Sequence, residues 1–235
     1  MNSSMGPFWN WPSAAQLRYA VWLGCLQAGW FGLLYGGADW FTRQHDYRVA
    51  LHTSIDLKIP FVPWTVLFYL SMNLLLWLAP FILRTRRELQ GIVLAQAAAT
   101  SIAAPFFLLL PAAAVYPQPD DVALGIFAMA DKLARWMALS CNFFPSLHVA
   151  FTVICASIYG AEASGIGRGL LWCWGACIVA STLLTHQHYL IDVVGGLVLG
   201  RAMVTVVYRR WTAAEDPSTA AVSCPSQTSC PEPLA

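Results

Sequence analysis

Two short stretches hold the residues best suited to chemistry, and each opens an apolar run. One is Phe144-Pro145-Ser146-Leu147-His148 and the other is Thr185-His186-Gln187-His188-Tyr189-Leu190-Ile191-Asp192. His188 and Asp192 stand four apart, so on a helix they share a face and the carboxylate can accept a hydrogen bond from the imidazole. Such a bond fixes the ring's tautomer and leaves its other nitrogen as a base, nucleophile or metal ligand. The plainer alternative is an interfacial histidine beside a capping acid. Pro145 suits a first helical position. The free N–H groups behind it, with the Ser146 hydroxyl, make an anion site, and His148 follows on the first turn. His186 lies two residues from His188, cannot share its helical face, and reads as an interface residue. His45 and His52 read as ordinary loop residues.

The elements that must position these groups are set by composition. Of 235 residues, 58% are hydrophobic and 11% are charged, with mean hydropathy +0.57. A soluble domain carries about 25% charged residues, so this is a membrane protein. A net charge of +1 argues against a nucleic-acid partner, which needs a basic patch. Seven cysteines form no CxxC or Cys/His zinc pattern. Six apolar stretches approach or reach the ~20 residues of a membrane-spanning helix: Gln16–Tyr35, Val62–Leu83, Leu89–Leu110, Ser146–Tyr159, Leu170–Leu184 and Tyr189–Tyr208. The expected fold is all-α, a polytopic membrane bundle of six transmembrane helices over residues 16–211. Residues 1–15 form an N-terminal tail without the charge pattern of a cleaved signal. Residues 212–235, rich in Ser, Thr, Ala and Pro, form a disordered cytoplasmic tail.

Lysines and arginines orient the bundle. Arg18, Arg84, Arg86, Arg87, Arg168, Arg209 and Arg210 gather on one side. The opposite loops mix Arg43, Arg48, Lys58, Lys132 and Arg135 with Asp39, Asp46, Asp56, Asp120, Asp121 and Asp131. The bias puts both termini on the cytoplasmic side of the cell membrane, and His148 and His188 together at the non-cytoplasmic face. Of the two long outer loops, Asp39–Pro60 is expected to hold an interfacial helix, and Tyr116–Asn142 an amphipathic one. Trp40, Trp64, Trp136, Tyr189 and Tyr208 read as interfacial anchors. Two histidines, an acid and an anion-binding helix start at one face are the parts phosphoryl transfer requires.

The two blocks resemble those of the type 2 phosphatidic acid phosphatase superfamily, membrane lipid phosphatases and phosphotransferases. Its second block is Pro-Ser-Gly-His, here Pro145-Ser146-Leu147-His148. Its third is Ser-Arg-x5-His-x3-Asp, here Ser181-Thr182-x5-His188-x3-Asp192. Leu in place of Gly, the His-Tyr-x-x-Asp form of the third block, and Asp56-Leu-Lys-Ile-Pro-Phe-Val-Pro-Trp64 look like the branch that includes inositol phosphorylceramide synthases. The resemblance implies that His188 attacks phosphorus, Asp192 orients it, and His148 protonates the leaving oxygen. Ser146 and nearby N–H groups bind phosphate, the partner is a phosphorylated lipid in the membrane, and no metal or cofactor is required. Two family cations are missing: there is no Arg-Pro dipeptide for the first block, and Thr182 replaces the third-block Arg. Lys132 and Arg135 are the nearest replacements, with the solvated face of an interfacial helix as their alternative reading. The other functional classes are a metal- or haem-binding carrier using His148, His186, His188 and Asp192, and a catalytically inactive relative acting as a binding subunit.

Overall fold

The computed structural model describes residues 8–214, except 118, 120 and 140. Asp120, Cys224, Cys230 and most of the C-terminal tail therefore lie outside the described residues. Helix α1 (Ala14–Phe31) starts at Ser13, whose side chain accepts the Gln16 N–H at 3.2 Å, and runs through a π-helical turn at Gly32–Gly36 into α2 (Gly37–Thr42). After an irregular loop come α3 (Val66–Trp77) and α4 (Ala79–Ile82). A capping box, Thr85 with Glu88, starts α5 (Arg86–Leu109). A second irregular stretch holds α6 (Asp121–Leu124) and α7 (Ala128–Ala138). Helices α8 (Leu147–Glu162), α9 (Gly165–Leu184), α10 (Leu190–Met203) and α11 (Arg209–Ala213) complete the chain, the last two joined by a π turn.

All six apolar stretches are helical. Among the described residues three helical segments are long and apolar enough to cross a membrane: Arg86–Leu109, Gly165–Leu184 and Leu190–Ala213. Pro63–Trp77 and Leu147–Glu162 are shorter apolar helices. Among the described residues there is no β-strand, and an isolated bridge pairs Val49 with Ala112.

The first long loop departs from the interfacial helix expected of it, whereas the second carries the amphipathic helix expected there. Between Thr42 and Pro60 the helical structure is one 3-10 turn, Asp56–Lys58. The backbone there finds its partners at a distance: Val49 N–H donates to Pro111 O and Val49 O accepts the Ala113 N–H. A chain whose N–H and C=O groups are taken by remote partners has none left for helical i→i−4 bonds. In the second loop, among the described residues, the short helical turns at Asp121–Leu124 and Gly125–Phe127 lead into the helix Ala128–Ala138.

Helix α8 is the centre of the bundle, packed by α9, α10, α5 and α3. Its contact with α10 is backbone-close. A Cβ on Gly196 would stand 2.5 Å from Ser146 O, and one on Gly200 would stand 2.6 Å from Ala150 O. Gly196-x3-Gly200 is thus a small-xxx-small seam, the arrangement that lets membrane helices approach closely. By contrast α1 packs on α5 and α4, α3 packs on α9, α8 and α7, and between α1 and α3 lies a cavity of about 730 Å³.

Candidate active site

The seam between α8 and α10 brings the two blocks together. Ser146 N–H donates to Asp192 O at 3.0 Å, which joins the start of α8 to the first turn of α10. Ser146 is the N-cap of α8, so Pro145 stands one residue outside the helix and not at its first position. The Ser146 hydroxyl is buried and accepts the Val149 N–H at 3.3 Å. It is therefore occupied as a cap, and the first-turn N–H groups of Leu147 and His148 are the donors that the helix itself leaves unclaimed.

His148, on that first turn, stacks on Tyr69 of α3 with ring centroids 4.0 Å apart and planes 13° apart. Its Nε2 lies 2.9 Å from Tyr69 O. A carbonyl only accepts, so Nε2 carries the proton in this arrangement. Tyr69 was not legible as a site residue, because a tyrosine in an apolar run looks like any core aromatic.

His188 corrects the helical reading of its spacing to Asp192. It lies in the non-helical turn before α10, whose first residue is Leu190. Its Nδ1 is 3.6 Å from Asp192 Oδ2, beyond hydrogen-bond reach. The reason is competition: Asp192 Oδ2 accepts the Tyr189 N–H at 2.8 Å and so caps α10. His188 Nδ1 and Asp192 Oδ1 are both buried without a hydrogen-bond partner among the described residues. Phe143 presents an edge to His188 at 5.9 Å and stacks on Tyr189 at 5.3 Å.

His186 sits in the left-handed region (φ 56°), uncommon for a residue with a side chain. Its ring stacks on Tyr116 at 3.8 Å and its Nε2 lies 3.0 Å from Ile59 O. Burial lowers its pKa, and the nearby Arg135 charge lowers it further against the opposing pull of the Ile59 carbonyl.

The two candidate cations separate. Arg135 is close enough for its charge to be felt at His186, but it holds Asp131, a nearly buried carboxylate, through Nε at 2.6 Å and Nη2 at 3.4 Å. Lys132 pairs with Asp121 at 2.6 Å where both side chains are more than half exposed. Among the described residues no three His, Cys, Asp or Glu side chains are grouped to hold a metal ion.

The cavity between α1 and α3 ends at His148 and His188. From Leu17 to Tyr35, both in its wall, α1 and the π-helical turn after it rise about 27 Å at 1.5 Å per residue. The remaining wall is mostly apolar and includes Asn142. The Asn142 amide donates to Tyr35 O at 2.6 Å, and its Oδ1 is buried without a partner among the described residues.

No curated protein and no solved structure matches the chain. A family profile does, over residues 47–206, a span that begins in the first long loop and runs through both histidine blocks into the π turn after α10. The chain belongs to the PAP2 superfamily.

Proposed function

We propose that the protein is an integral-membrane lipid-phosphate phosphohydrolase or phosphotransferase that works through a phosphohistidine. The observation that carries this reading is the cavity: an apolar chamber of about 730 Å³ with two histidines at one end. A lipid chain would occupy the apolar length and leave its phosphate beside His148 and His188.

In this reading His188 Nε2 attacks phosphorus, since Nδ1 is the nitrogen turned toward Asp192. The bond to the lipid oxygen breaks, and that oxygen takes a proton from His148. Water or an alcohol then attacks the phosphohistidine and gives its proton back to His148, and both histidines are regenerated. His148 must trade the Tyr69 carbonyl for the leaving oxygen during this cycle. Asp192 orients His188 and stabilises the charge that develops on it. The phosphate oxygens would meet the N–H groups at the start of α8, with Ser146 holding that turn in shape, and would meet Arg135, with Lys132 as the outer and weaker cation.

The six apolar helical segments would each cross the cell membrane with both termini inside, which puts the site at the non-cytoplasmic face. The arginines at 84, 86 and 87 support this orientation. Pro145-Ser146-Leu147-His148 and the third block support placement near the inositol phosphorylceramide synthase branch. The test uses purified protein in lipid nanodiscs with a radiolabelled lipid phosphate. Acid-labile label should be trapped on the wild type and absent from His188→Ala. Turnover that persists in His188→Ala would refute the mechanism.

A further inference from the structure

Asp56 is fully buried, 134 residues before the helix it serves. Its Oδ1 accepts the Leu190 N–H, the first of α10, at 2.7 Å. Its Oδ2 accepts the Thr53 N–H at 2.7 Å and the Thr53 hydroxyl at 2.6 Å. Its backbone oxygen accepts the Tyr116 hydroxyl at 2.9 Å. No Lys or Arg among the described residues forms an ion pair with it. A lone buried carboxylate is costly, and this one is balanced by hydrogen bonds and by the positive end of α10. Burial acts to raise its pKa, but the bonds from Thr53 and Leu190 outweigh it and hold the carboxyl below the usual range.

The segment that Asp56 anchors touches both sides of His188. Two residues after the histidine, Asp56 holds Leu190 N–H. Two residues before it, Ile59 O meets His186 Nε2. Tyr116 closes the bracket, its hydroxyl on Asp56 O and its ring on His186. Of the N–H groups that open α10, those of Tyr189 and Leu190 are thus taken by Asp192 and Asp56.

We propose that Asp56 is a positioning residue for His188: it pins the start of α10 and, through Ile59 and Tyr116, the turn before it, so that the ring is held in line with the phosphorus. The inference rests on the reading of His188 as the nucleophile. Its expression in kinetics is a defect in the covalent step and not in substrate binding.

The experiment compares the wild type, Asp56→Asn and Asp56→Ala as full-length protein in nanodiscs. It measures steady-state kinetics on a lipid phosphate, and hydrogen exchange of the peptide covering residues 185–192. Asp56→Ala should lower kcat by on the order of 10²-fold, the effect of misplacing a reacting group by about 1 Å, with KM unchanged. Exchange should rise in residues 185–192 and stay constant in α3 and α5. Asp56→Asn keeps an oxygen that can accept the Leu190 N–H and should recover most of kcat. Wild-type kcat together with wild-type exchange in Asp56→Ala would overturn the proposal. So would a rise in exchange throughout the bundle in both variants, which would make Asp56 a general stability residue. If the wild type transfers no phosphoryl group at all, the functional reading fails, and the exchange result alone decides whether Asp56 pins this turn.

Discussion

Helices α8 and α1 are both apolar, yet they meet the rest of the molecule in opposite ways. Twelve of the sixteen residues of α8 are buried, and its face toward α10 is backbone against backbone at Gly196 and Gly200. Of α1 only Leu23 is buried, and Leu17, Val21, Trp22, Leu26 and Trp30 are exposed. Gly24 on α1 has nothing within 4 Å of where a Cβ would lie. The contrast separates two tasks. Chemistry needs groups held to within fractions of an ångström, and the close-packed α8–α10 half holds Ser146, His148, His188 and Asp192. The long apolar chain of the proposed lipid substrate needs room, and the loosely packed α1–α3 half has a cavity lined in part by the same histidines.

The widest difference between the halves should come from adding a side chain to each. Gly196→Val must push against Ser146 O, a backbone atom of the adjoining helix that cannot rotate away. It should abolish both activity and the cooperative thermal unfolding transition. Gly24→Leu fills the cavity and should leave that transition in place. If both variants unfold alike, the two halves are not distinct.

Next in size are the two histidines. His188→Ala should abolish turnover of every substrate. His148→Ala should cost roughly 10²- to 10⁴-fold on a lipid alkoxide, the range of general acid catalysis, and much less on an aryl phosphate whose leaving group needs no proton. Rescue of His188→Ala by the aryl phosphate, without rescue of His148→Ala, would reverse the two roles.

Gly24→Leu also sharpens the comparison by substrate. Long-chain lipid phosphate should lose roughly tenfold or more in kcat/KM, about 1.4 kcal/mol, while a short water-soluble phosphate ester is turned over as by the wild type. Equal losses on both would place the lipid chain elsewhere.

A similar magnitude separates the two cations. Arg135→Ala should lower kcat/KM about tenfold, as expected for one lost charge-assisted bond, whereas Lys132→Ala should behave as wild type, since an exposed ion pair contributes little. Wild-type kinetics in both variants would assign both residues to the solvated face.

The smallest effect is that of pH on the loops over the rigid half. The His186 pKa is lowered by folding, so the unfolded chain binds its proton first, and stability falls as pH drops below about 6.5 toward the folded value. The Asp56 pKa is also lowered. Its contribution is complete above about 3.9 and is lost as pH falls through its depressed folded value. Hydrogen exchange in residues 185–192 should therefore rise as the pH falls, after correction for intrinsic rates. His186→Gln should remove the step that begins below about 6.5 and keep the more acid one.

How far the chain could be read without coordinates depends on the range of the interactions. The six helical stretches follow from local composition, because a helix satisfies its backbone within one contiguous segment. The two histidine blocks were legible for the same reason, since each is a contiguous run of residues opening an apolar stretch. The His188–Asp192 pair shows where local spacing misleads. A helical i, i+4 partnership was the natural expectation, but the chain ends its turn one residue before Leu190, and Asp192 gives its oxygen to the Tyr189 N–H. Asp56 was visible only as part of a familiar-looking string. Its bond to Leu190 joins residues 134 apart, and nothing near Asp56 in the chain indicates that partner. Tyr69 meets His148 across 79 residues, and the interfacial helix expected of Asp39–Pro60 gives way to contacts with residues 111–113 and 190. Local composition can say which residues enter helices and which polar groups must find partners. Which partner each one finds depends on how close two helices can come, and here that is set by the absence of a Cβ at Gly196 and Gly200.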